Sequence, residues 1–159
     1  MNTLQMAETD DRIVSGGVIN VRLNTDKLFS NRRSDRLLFY RDDEEKNKWT
    51  KDELKTAAKK MRAMQDDFQR AGMHMIVIVV PDKSSTYGLY FRTNPTQGKY
   101  QSIMDGLAAE HVNSINLLEP FRRNLPGTVD LYYPDDTHLS PRGYRLMALV
   151  VSERLARDR

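Results

Sequence analysis

The sequence predicts an α/β protein with a mainly parallel sheet. Three observations carry that prediction. A capped amphipathic stretch over residues 50–71 runs into a continuous apolar run at 75–80, the succession expected of a sheet covered on both faces. A second amphipathic stretch, at 100–108, is followed by another short strand candidate at 114–118. A last helical pattern over 144–157 closes the alternation.

Length and composition set the outer bounds. The 159 residues suffice for one domain with a real core. Charged residues make up 30% and hydrophobic ones 39%, ordinary values for a globular chain. A net charge of +3 is too small to argue for a nucleic-acid partner. The absence of cysteine removes disulfides and thiolate metal sites from consideration. The longest apolar run, 75–80, is strand-sized, so no membrane-spanning segment is expected. The polar, acidic start over 1–12 does not read as a signal peptide. Residues 1–11 read as a disordered lead-in, and 12–159 as a single α/β domain.

The remaining elements follow in order. Residues 13–23 read as extended, broken by a turn or bulge at Gly16-Gly17. Ser15 beside those glycines reads as a polar turn residue, since no strand-to-helix elbow follows it. Residues 37–40 form a second extended run, and 41–48 a solvated charged connection, with Trp49 packing it onto the body. Thr50 and Glu53 make a capping box. Leu54, Ala57, Ala58, Met61, Met64, Phe68 and Ala71 share the buried face of that helix, which Gly72 ends. The expected core comprises Ile76, Ile78, Val80, Leu54, Met61, Phe68, Ile103, Leu107 and Val151. The last helix is expected to bury Tyr144, Met147, Ala148, Val151 and Leu155. His74 and His111 read as structural.

Two stretches carry chemistry. The loop 81–87 follows the apolar strand, where ligands collect in open α/β sheets. In it, Lys83 can hold an anionic or carbonyl oxygen and Tyr87 can stack on a ligand, or the loop is simply polar surface. The second stretch is Tyr132-Tyr133-Pro134-Asp135-Asp136-Thr137-His138-Leu139-Ser140-Pro141. Ser140 can cap a helix and Pro141 suits its first position. His138 then lies just ahead of a helix N-terminus, where the local field favours the neutral, proton-accepting imidazole. Alternation puts Asp136 on the same side as His138, and Asp135 can reach the ring if the segment turns. Such a pair is the orienter–base half of a catalytic triad. Asp135, Asp136 and His138 as metal ligands is a further reading, but no second histidine is placed to complete the set.

That stretch, continued through Arg142-Gly143-Tyr144, resembles the aspartate–histidine block of SGNH-type hydrolases, and most of all the SGNH-like relatives of alginate O-acetyltransferases. Leu37-Leu38-Phe39-Tyr40-Arg41-Asp42-Asp43 looks like that group's early strand and turn. Ile78-Val79-Val80-Pro81-Asp82-Lys83 through Tyr87 looks like its strand followed by a proline, a lysine and a tyrosine. The resemblance covers roughly residues 35–157. It implies a flavodoxin-like three-layer α/β/α sandwich, whole or in part, and a serine that takes an acyl group from an ester and passes it to water or a sugar hydroxyl. His138 matches the base. Asp136 matches the orienter of the Asp-x-His form, which is preferred, and Asp135 that of the Asp-x-x-His form. The resemblance implies no cofactor, a carbohydrate or acyl-ester substrate, and a place outside the cytoplasm.

No Gly-Asp-Ser block occurs in the sequence. Ser15, Ser34, Ser84 and Ser85 all lack its flanking pattern. The expectation is therefore a fragment of a serine esterase or O-acyltransferase that supplies the Asp–His pair. The alternative is a non-catalytic glycan-binding module that keeps the fold.

Overall fold

In the computed structural model, which describes residues 11–93 and 98–157, Gly16 and Gly17 turn the chain sharply back on itself. Both have positive φ, 57° and 81°, the combination a two-residue hairpin turn requires. Strands β1 (Arg12–Ser15) and β2 (Val18–Arg22) pair antiparallel across it, and β3 (Arg36–Tyr40) pairs antiparallel with β2. Alternation buries Ile19 and Val21 of β2 and Leu37 and Phe39 of β3 on one face. Apart from Asp11, the lead-in over 1–11 lies outside the described residues.

The expected solvated connection is instead a short helix, α1 (Asp42–Glu45), with a 3-10 turn at Lys46–Lys48. Trp49 is half exposed and does not pack the segment down. Helix α2 (Lys51–Arg70) starts on the expected capping box: Glu53 N donates to Thr50 Oγ1 at 3.2 Å, and Thr50 N to Glu53 Oε2 at 2.7 Å. Its buried face is narrower than the apolar pattern suggests. Leu54, Ala58 and Gln65 are buried, whereas Met64 and Phe68 are exposed. Gln65 is the reason the helix is turned this way. Its amide donates to Met75 O at 3.1 Å and Asn113 O at 2.8 Å and accepts from Asn113 N at 2.9 Å, tying α2 to the segments leading into two strands.

Those strands, β4 (Val77–Val79) and β5 (Ser114–Asn116), pair parallel. The chain is thus an α/β protein whose parallel sheet is a short two-stranded piece beside a three-stranded antiparallel sheet. Val77 and Val79 pack on a cluster of Ala58, Tyr100, Met104, Leu107, Val112 and Leu118, built by α2 and α4 (Tyr100–Ala109). Ile78 and Val80, expected in the core, are 41% and 46% exposed, because among the described strands only β5 pairs with β4 and its second face is incompletely covered.

The larger core joins the antiparallel sheet to Tyr87, Phe121, Leu125, Leu131, Tyr132 and Leu139. Two further short helices frame it: α3 (Lys83–Tyr87), in the stretch read as a polar loop, and α5 (Leu118–Asn124). Helix α6 (Pro141–Arg157) lies against this core through Leu146, Met147, Val150 and Val151. Tyr144 and Leu155, expected to be buried, are 51% and 46% exposed, so the packed face is rotated from the one expected.

Candidate active site

The site loop is closed by backbone before any side chain is considered. Tyr132 and Leu139 form an isolated antiparallel bridge. Tyr133 N donates to His138 O at 3.1 Å, and Ser140 N to Leu131 O at 3.1 Å. Helix α6 begins at once. The Ser140 hydroxyl accepts from Arg142 N at 3.1 Å and Gly143 N at 3.4 Å while donating to Asp130 O. A Cβ on Gly143 would come within 2.2 Å of Leu131 O, so only glycine lets the helix start this close to the loop.

Within the loop, His138 Nδ1 lies 2.6 Å from Asp136 Oδ1, and the same oxygen accepts from His138 N at 3.0 Å. The carboxylate accepts from Nδ1–H, which leaves Nε2 as the ring acceptor. His138 holds the Asp136 carboxyl below the ordinary carboxylate range, through its ring first and its backbone amide second. The pair stands near the surface, the His138 side chain 71% exposed. Among the described residues no hydrogen bond joins Asp135 to His138.

His138 and Thr137 border a cavity of about 250 Å³ whose apolar wall is Val80, Pro81, Leu139, Tyr144 and Met147. A larger hollow of about 520 Å³ between α2 and α4 has no histidine in its lining. Of the two, the smaller is the one with an imidazole at its border.

Lys83 and Tyr87, read from the sequence as ligand-facing, serve the interior instead. Asp82 caps α3, accepting from Ser85 N at 2.6 Å, and this turns the Lys83 side chain inward. Lys83 borders the cavity, yet its ammonium is enclosed and donates to Tyr133 O at 2.6 Å, Pro134 O at 2.9 Å and Asp136 O at 2.8 Å. Three donors meet three carbonyls, which leaves none for a ligand. Burial pushes this ammonium down to about 8, against the pull of Asp135, Asp136, Asp43 and Asp130. Tyr87 is fully buried, its hydroxyl accepting from Tyr132 N at 3.4 Å, and so cannot stack on a ligand.

The serines nearby are committed as well. Ser84 and Ser85 donate to the Asp82 carboxylate at 2.5 Å and 2.9 Å. Among the described residues no serine lines the cavity, and no three His, Asp or Glu side chains converge as a metal site. Asp43 does line it, although the sequence reading assigned it no site role. Its Oδ2 is buried without a hydrogen-bond partner among the described residues, and burial pushes the carboxyl above its ordinary range. In the sequence it stands at the end of the stretch 37–43 that resembles the family's early strand and turn, where nothing marks it as a site residue.

The family model described as SGNH hydrolase-like domain, acetyltransferase AlgX, matches residues 34–159. The chain belongs to this family. The match runs from the approach to β3 through α6, so Asp43, Lys83, Asp136 and His138 all lie inside it, and the β1–β2 hairpin lies outside. A search of curated proteins returned no match, and a search of solved structures returned none.

Proposed function

We propose that Asp136 and His138 are the orienter and general base of a Ser–His–Asp acyl-transfer site acting on an acyl ester of a carbohydrate. One observation carries the reading: the 2.6 Å contact fixes the ring with its free nitrogen beside a cavity. In the reaction, Nε2 takes the proton of a hydroxyl nucleophile as that oxygen attacks the acyl carbonyl. Asp136 stabilises the imidazolium, which then protonates the leaving alkoxide. The nucleophilic serine is supplied by residues other than those lining the cavity. Membership of an acetyltransferase family supports acetyl as the acyl group and a site of action outside the cytoplasm.

The serine-free lining favours a second reading, a glycan-binding module that keeps the fold without turnover. Purified chain assayed on an activated acetyl ester separates the two. With His138 acting as a base for water, His138→Ala lowers the slow hydrolysis by on the order of 10²-fold. A serine-directed phosphonate leaves the chain unlabelled. Hydrolysis equal in wild type and His138→Ala, together with binding of an acetylated oligosaccharide, establishes the module instead. Stoichiometric labelling abolished by His138→Ala would show that one of the chain's own serines completes the triad.

A further inference from the structure

We infer that Lys83 is the positioning residue of this site: its ammonium gathers the carbonyls of Tyr133, Pro134 and Asp136, and so sets the backbone that carries the Asp136 carboxylate to His138. The inference rests on the reading of Asp136 and His138 as orienter and base.

Three backbone carbonyls converging on one point repel each other and need a shared donor. Lys83 Nζ is that donor, at 2.6 to 2.9 Å from each. The loop has little else to hold it. Inside the Tyr132–Leu139 bridge its backbone bonds are Tyr133 N to His138 O at 3.1 Å and a long Asp136 N to Tyr133 O at 3.5 Å. Both close the loop on itself. Tyr132, at the bridge, is tied to Tyr87 and Pro81, but for Tyr133 to Asp136 the Lys83 bonds are the side-chain link to another element among the described residues.

That element is firmly placed. Asp82 caps α3 and pairs with Lys46. Arg122 donates to Ser85 O at 2.7 Å, and the Lys83 ammonium lies 5.2 Å from the centre of the Phe29 ring. A side chain needed only for volume here would be apolar, because enclosing an ammonium is costly unless its donors are used. The charged groups that pull on it, Asp135, Asp136, Asp43 and Asp130, are carboxylates. Without the ammonium, the carbonyls and these carboxylates lose their common counter-charge. The loop relaxes, Asp136 leaves the ring, and His138 loses its fixed tautomer.

The experiment compares the full chain with Lys83→Met by nitrogen-15 and carbon-13 NMR. Wild type should show His138 as a dominant Nδ1–H tautomer and Asp136 titrating below the ordinary carboxylate range. In Lys83→Met, His138 should become a mixture of tautomers and Asp136 should return toward that range, with His74 and His111 unchanged. The chain has no cysteine, so Lys83→Cys, alkylated with 2-bromoethylamine in denaturant and refolded, restores a lone ammonium of nearly lysine length. That product should recover the wild-type spectrum. A folded Lys83→Met with an unaltered His138 signal overturns the inference. Should that variant not fold, wild type titrated through pH 8 serves instead. The neutral amine has two N–H groups for three carbonyls, so the His138 ring signals should shift with the midpoint of the Lys83 ammonium. Ring signals constant through that midpoint overturn it equally. Neither result bears on whether His138→Ala loses esterase activity, so this inference and the functional reading fail separately.

Discussion

Asp136 and Asp43 are pushed in opposite directions by their surroundings, and the signs give distinct pH behaviour. The Asp136 carboxyl is depressed by its bonds from His138, so its stabilising share is present above the unfolded pKa and is lost as pH falls through the folded one. Asp43 is raised by burial, with Lys46 and Lys83 pulling the other way. Between its ordinary pKa and the raised one, the folded state holds more protons than the unfolded state. The charged form of Asp43 therefore costs stability at neutral pH, and that cost is lifted on acidification. Asp43→Asn has no such titration. Denaturant melts of both proteins should show the variant's stability relative to wild type greatest near neutral pH and declining as pH falls through the raised pKa. A difference that is flat with pH would mean that Asp43 is not desolvated.

Between elements, Gly143 of α6 lies where any Cβ would run into Leu131 and Leu139. Gly143→Ala has to push the helix start off the loop, a strain of about 1–3 kcal/mol by analogy with overpacked cores. The variant should lose that much in a urea melt and also weaken the Nδ1–H signal of His138. A neutral Gly143→Ala would mean that the helix start yields freely. Thr50→Ala, which removes the α2 cap far from the loop, should cost about 1 kcal/mol and leave the histidine signal unchanged. Caps of this kind are local, and for that reason the Thr50–Glu53 box, the Ser140 cap and the Gly16-Gly17 turn were legible in the sequence. Helix faces were less so. Met64 and Phe68 extend the apolar pattern of α2, yet buried Gln65 decides its rotation through bonds to Met75 and Asn113, partners that no periodicity reveals. Lys83 was legible as an unusual residue at a strand end, but not as an interior one. Its direction depends on Asp82 capping a helix too short to leave a periodic signal.

Over the whole molecule, most of the described buried apolar residues fall into two clusters, and the site is built on one of them. Leu131, Tyr132 and Leu139 belong to the cluster that contains the antiparallel sheet, and their backbone closes the His138 loop. The other cluster, between α2 and α4, is joined to it through Tyr100, whose hydroxyl donates to the Val79 carbonyl of β4 at 2.6 Å and accepts from Leu117 N at 3.0 Å. Damage to the two should therefore read out differently at the histidine. Met104→Ala, at a buried position of the α2–α4 cluster, and Leu131→Ala, at a fully buried one beneath the loop, should each cost about 2–5 kcal/mol. Below the melting transition, Met104→Ala should keep the wild-type His138 ring signals, because the bridge, the Lys83 bonds and the Ser140 cap are all untouched. Leu131→Ala should broaden or split them, since the cavity opens directly under the Tyr132–Leu139 bridge. The measurement is the His138 ring spectrum of both variants at matched fractions folded. Equal perturbation by the two would mean that the clusters act as one cooperative body and that the loop has no local footing of its own.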